Sequence, residues 1–148
     1  MARETGPLTN SPNRLLAAIF GAVYLLVGLI GFAYTGFSDF AGTDTGDEIF
    51  GIFEVNPLHN IVHLAIGALL LFSALQGVSA AKGSNMLVGA VYLLVGIVGL
   101  FILDSDANIL SLNSADNVLH LATAVLLLGV ALSQDKNVRG DAPGVPRV

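Results

Sequence analysis

The chain has 148 residues, room for one compact domain. Charged residues make up 11%, against about 25% in ordinary soluble domains, while hydrophobic residues reach 54% and the mean hydropathy is +0.77. A small soluble protein exposes too much surface to cover it with so few charges, which excludes a soluble enzyme and a disordered chain and leaves a membrane protein.

A net charge of −5 and a pI near 4.8 leave no basic patch for nucleic acid. The absence of cysteine excludes disulfides, thiolate zinc sites, iron–sulfur clusters, covalent c-type haem and cysteine nucleophiles.

Four stretches, 15–38, 55–81, 83–103 and 117–134, contain no Asp, Glu, Lys or Arg. A spanning helix needs roughly 17–25 mostly apolar residues, so each is long enough. The pattern predicts helices over 15–36, 57–77, 85–103 and 116–133, because lipid offers no water to backbone groups. The first run is longer than a signal-peptide core, and its sequence recurs later in the chain, so it reads as a helix of the domain. Segments 1–13 and 134–148 are rich in Pro, Gly, Asn and charge and read as loosely ordered tails flanking a transmembrane domain over 14–133.

All six basic residues (Arg3, Arg14, Lys82, Lys136, Arg139 and Arg147) fall on one side of this topology. The other side collects Asp39, Asp44, Asp47, Glu48, Glu54, Asp104, Asp106 and Asp116, eight of the eleven acids. The positive-inside rule therefore predicts a multi-pass protein of the cell membrane with both termini cytoplasmic. Phe32, Tyr34, Phe37 and Phe40 gather where the first helix leaves the bilayer, as an aromatic belt would.

The chain also repeats itself. The octapeptide from Gly21 to Gly28, with Tyr24 at its centre, recurs unchanged from Gly89 to Gly96 around Tyr92, at an offset of 68. Asn60-Ile-Val-His63-Leu-Ala65 matches Asn117-Val-Leu-His120-Leu-Ala122 at an offset of 57. Eleven extra residues in the first connection, the acidic region 38–48, account for the difference. Each unit (about 14–77 and about 84–133) holds two spans, so both insert the same way round, as a parallel repeat. Gly21 and Gly28, like Gly89 and Gly96, are seven apart on one helical face and are expected to pack helix against helix.

Asn56 before Pro57 reads as a helix N-cap followed by proline at the first helical position, and Asn113 as the equivalent cap. Counting from the caps, His59 matches Asp116, Asn60 matches Asn117 and His63 matches His120. Spacing of four puts each His59/His63 and Asp116/His120 pair on one face, with His63 and His120 roughly 9–10 Å below the helix ends. Polar groups at that depth face the bundle interior and find partners.

Three readings follow. One is an interhelical clasp of Asn60, His63, Asn117 and His120, with His59 and Asp116 as first-turn caps. Another is a cofactor site: zinc or another transition metal on His59, His63, Asp116 and His120, or a b-type haem between His63 and His120. The third is a proton or cation pathway. The acidic segment Asp44-Thr-Gly-Asp47-Glu48 lacks EF-hand spacing and reads as a solvated loop rather than a calcium site. No phosphate loop, nucleophile elbow, HExxH or Ser/His/Asp arrangement is present. The expected role is accordingly non-enzymatic: an accessory or interaction protein whose partners are the bilayer, other membrane proteins or further copies of itself.

The run from Gly51 to Gly67, with its Asn56-Pro-Leu-His59-Asn60-Ile-Val-His63 core behind a glycine-rich first span, resembles the bacterial, actinobacterial-type four-helix membrane proteins grouped as domain of unknown function four-three-eight-three. The resemblance covers about Arg14 to Ser133, and the second half departs from the motif in carrying Asp116 where the first has His59. It implies an all-α, polytopic four-helix bundle and supplies no activity, cofactor or catalytic residue.

Overall fold

The computed structural model describes residues 6–45 and 47–136. The basic residues Arg3, Arg139 and Arg147, with most of the expected tails, lie outside the described residues. The helices are α1 (Pro12–Thr35), α2 (Pro57–Gln76), α3 (Val78–Ile102) and α4 (Ser114–Ser133), with a short 3-10 turn (Leu8–Asn10) before α1. Between α1 and α2 lies one antiparallel hairpin of strands β1 (Glu48–Ile49) and β2 (Phe53–Glu54).

The molecule is inverted relative to a soluble bundle. Leu26, Leu29, Phe72, Leu94, Leu100 and Val125 point outward and are exposed, whereas Asn13, Asn60, Asn85, Asn117 and three histidines are buried. Each helix carries a strongly apolar 18-residue window, of mean hydropathy 2.5, 1.8, 2.3 and 1.7 in chain order. Lipid solvates such an outer surface and water does not, so this is a multi-pass membrane protein.

Glycines set the distance between the helices of each hairpin. A Cβ at Gly21 would meet the backbone of Leu71, and one at Gly67 the backbone of Leu25 and Gly21, so α1 and α2 touch main chain to main chain. Gly28 seats Leu64 and Gly31 seats the amide of Asn60. In the second hairpin Gly89 seats Leu128, Gly96 seats Leu121 and Gly99 seats the amide of Asn117. These contacts fall at the offsets of 68 and 57 read from the sequence. Between the hairpins lies a core of Ala17, Tyr24, Leu70, Ala74, Ala81, Val88, Tyr92, Ala124 and Leu127.

Three boundaries differ from the expected ones. First, α1 begins at Pro12 because the Ser11 hydroxyl caps it, accepting the Arg14 amide at 3.3 Å. Residues 11–13 are therefore part of the packed domain rather than a loose tail: Ser11 and Asn13 are buried, and the buried Arg14 donates to the Gly6 carbonyl at 2.8 Å. Second, no loop separates α2 from α3. Gly77 alone, at φ 138°, ends one helix and starts the next, a backbone conformation open mainly to glycine. Lys82 and Asn85 consequently lie within α3, and the Asn85 amide donates to the Asn13 carbonyl and side chain at 3.0 and 3.1 Å.

Third, Gln134 and Asp135 are held rather than loose, the Gln134 carbonyl accepting from Lys82 at 3.2 Å. The Asp135 carboxylate accepts from the Ser11 hydroxyl (2.8 Å), the Asn13 amide (3.2 Å) and the Asn13 side chain (2.8 Å), joining the start of α1 to the end of α4. Burial raises the Asp135 carboxyl, but the Asn13 and Ser11 bonds and the Lys82 charge outweigh it and hold the pKa below its usual 3.8. A carboxyl depressed in the folded state contributes stability that is complete above its unfolded pKa and is lost as the pH falls through its folded one. Asp135→Asn is expected to cost about 1 kcal/mol at neutral pH, a modest figure because the site is partly exposed. In detergent, the gap between wild-type and variant melting temperatures should hold at pH 6–8 and narrow below pH 3.8. A gap that widens on acidification would exclude this clamp.

At the acidic end the long α1–α2 connection folds back over the helices. Its acids Asp39, Asp44 and Glu48 are exposed, as expected of a solvated loop, but Ile49 and Val55 are buried and Thr45 bonds the Val55 carbonyl at 2.8 Å. Asn56 donates to the carbonyls of Gly42 (2.9 Å) and Ile109 (2.8 Å), so one cap residue ties both connections together. Asn108 braces the α3–α4 connection, its amide donating to the carbonyls of Leu103 and Leu112 and its oxygen accepting the Leu112 amide at 2.8 Å.

Candidate metal centre

The two helix starts at the acidic end determine where the polar residues lie. Asn56 accepts the His59 amide at 2.8 Å, which begins α2 at Pro57 and places His59 in its first turn and His63 one turn deeper. Asn113 and Asp116 form a full capping box at the start of α4, with both reciprocal bonds at 3.0 Å, and His120 follows one turn deeper.

The three histidines converge. His59 stacks on His63 with ring centroids 4.4 Å apart, and His120 lies 5.9 Å from His59 and 6.4 Å from His63. One nitrogen from each falls within 4.8 Å of the others, and all three side chains are at most 5% exposed. Among the described residues, Nδ1 of His120 has no hydrogen-bond partner, and the ring nitrogens of His59 meet only the backbone of Leu110 and Glu54, in geometry short of a well-formed bond. Buried polar atoms without partners are uncommon in native proteins, and each one calls for a physical reason.

The four residues read as a ligand set do not all meet. Asp116 stands outside the converging group: its carboxylate accepts the amides of Asn113 and Glu54 and serves to cap α4 and hold β2. The asparagines read as one clasp with the histidines are also separated from them. Asn60 turns toward α1, where it donates to the Thr35 hydroxyl at 3.0 Å and lies against Gly31, while Asn117 lies against Gly99 of α3. Of Asn60, His63, Asn117 and His120, only the two histidines face each other across the bundle. Gly21 and Gly28 pack α1 against α2, and Gly89 and Gly96 pack α3 against α4.

Two residues join the centre that motif reading did not single out as part of it. Tyr24 stacks on His63 at 5.2 Å, and Tyr92 lies on His120 at 4.8 Å with its hydroxyl 3.5 Å from His63 Nδ1. Tyr24 reaches Thr123 at 3.2 Å and meets Tyr92 edge to face at 5.4 Å. Their signal was present in the repeated octapeptide, where each tyrosine is the polar exception in an apolar run.

This packing suits an ion and does not suit a macrocycle. Three imidazole nitrogens about 2.0–2.1 Å from a transition ion lie about 3.4 Å apart, so modest side-chain movement closes the triangle seen here. A haem held by His63 and His120 would have to displace the rings packed on them, His59 and Tyr24 on His63 and Tyr92 on His120.

Fold and centre thus define a four-helix membrane protein with a three-histidine cluster buried near one end of the bundle. The family model described as Domain of unknown function (DUF4383) matches residues 14–133, and the chain belongs to that family. No curated protein and no solved structure matches it.

Proposed function

We propose that this is a metal-binding accessory protein of the cell membrane, holding one transition-metal ion on His59, His63 and His120. The observation that carries the reading is the convergence of three buried imidazoles, with one nitrogen of each within 4.8 Å of the others and His120 Nδ1 left without a hydrogen-bond partner. A buried polar atom left unbonded costs about 1–3 kcal/mol, and a single ion would satisfy three histidines at once. Tyr92, beside His63 Nδ1, would fix the ring through its second nitrogen, as outer partners of ligating histidines do. The role is read as binding rather than catalysis, since the sequence carries no phosphate loop, nucleophile elbow, HExxH or Ser/His/Asp arrangement.

Protein purified from membranes without a polyhistidine tag is expected to carry about one equivalent of a transition metal by elemental analysis, and no Soret band. A preparation that stays metal-free after gentle extraction and incubation with copper and zinc salts would overturn the reading.

The site is read as lying in the outer leaflet, with both termini cytoplasmic. Arg14, Lys82 and Lys136 gather at the opposite end of the bundle, which supports this orientation by the positive-inside rule. Because the chain has no cysteine, single cysteines placed at Asp106 and Lys136 give a clean test. Only the cysteine at 106 should react with an impermeant thiol reagent on intact cells, and the opposite result would reverse the topology.

A further inference from the structure

The charge of the site, rather than its donor atoms alone, discriminates among ions. All three converging ligands are neutral imidazoles, and no thiolate exists in the chain. The nearby carboxylates are committed elsewhere. Asp116 is held by the amides of Asn113 and Glu54, and Glu54 accepts from the Ser111 hydroxyl at 2.6 Å and the Thr45 amide at 3.0 Å. The flanking Tyr24 and Tyr92 phenols add no charge. None of the three ligands would therefore neutralise an ion on these histidines, and the carboxylates of Asp116 and Glu54 act on it only from outside the ligand set.

Helix polarity acts in the same direction. Both α2 and α4 begin at the cluster; Asp116 offsets the positive end of α4, but the first turn of α2 holds no acid, so its N-terminus, equivalent to roughly half a positive charge, lies beside the ion. The desolvation cost of a buried charge grows with its square, so a dication costs about four times as much as a monocation, and its repulsion from the helix end doubles. Zinc or another dication on three neutral ligands would in addition recruit a water or hydroxide as fourth ligand. A three-coordinate monovalent ion needs no such partner.

We infer that the three-histidine site selects a monovalent d10 ion, copper(I), over divalent zinc. The inference rests on the metal-binding reading above, and its test separates the two. Full-length protein in lipid nanodiscs is titrated anaerobically with copper(I), with redox-inert silver(I) and with zinc(II), beside a water-soluble three-imidazole chelator.

The protein's silver-to-zinc affinity ratio should exceed the chelator's by about 100-fold or more. X-ray absorption of the copper(I) form should show three nitrogen neighbours and no fourth light atom, and His120→Gln should lose one of the three. A ratio equal to the chelator's, or a fourth oxygen ligand on copper(I), overturns the charge selection while leaving metal binding in place. Failure of the wild-type protein to take up any of the three ions overturns both. The absorption measurement on wild-type protein needs no variant, so misfolding of a histidine mutant does not blunt the test.

Discussion

Alanine at Gly31 or Gly99 is expected to destabilise the bundle by about 3 kcal/mol, the upper part of the range for overpacking a tight contact. The added methyl would occupy the space now filled by the Asn60 amide at Gly31, or by the Asn117 amide at Gly99. Neither asparagine has an escape, because both are fully buried in the middle of a helix–helix contact. Displacing Asn60 also breaks its bond to Thr35, adding a lost polar partner to the steric cost. The matched control is Gly129→Ala on α4, where a Cβ meets nothing within 4 Å. Relief from glycine's low helix propensity should leave that variant neutral or up to about 1 kcal/mol more stable. Thermal unfolding in detergent compares the three, and equal melting temperatures would show that these asparagines do not pack as described.

Removing His63 or His120 should abolish metal binding altogether. Each is one of three ligands, so His63→Ala or His120→Ala leaves two imidazoles and is expected to lower bound metal below about a tenth of an equivalent after dialysis. Asp116→Asn should keep the metal while loosening α4, since its carboxylate serves the capping box and β2 rather than the cluster. Tyr92→Phe should weaken binding by about tenfold, the usual effect of losing an outer partner of a ligating histidine. Elemental analysis of all four proteins, with melting temperatures as a folding control, distinguishes ligand from scaffold. Metal retained in both histidine variants would exclude the site.

Much of this architecture is legible without coordinates. Hydropathy located four helices because lipid acts on each span locally, and Asn56-Pro57 and Asn113 located two helix starts because capping is settled within one turn. The loss of the α2–α3 loop was less legible. Ser84 and Asn85 look like helix-start residues in the chain, yet Asn85 is buried mid-helix because Asn13 meets it from a segment 72 residues away. The same holds for Asp135, which has the composition of a tail residue until Ser11 and Asn13 supply its partners.

The candidate site divides in the same manner. Spacing alone put His59 with His63 and Asp116 with His120 on shared helix faces. Which of these groups turn toward one another depends on how each helix is rotated about its axis, and that rotation is set by glycine contacts between helices. Gly31 and Gly99 draw Asn60 and Asn117 away from the centre, the capping box holds Asp116 aside, and three histidines and two tyrosines remain facing inward. The sequence by itself determined the spans and the caps, both products of short-range forces. Only the tertiary structure selected His59, His63 and His120 from the polar set, because convergence depends on the packing of distant helices.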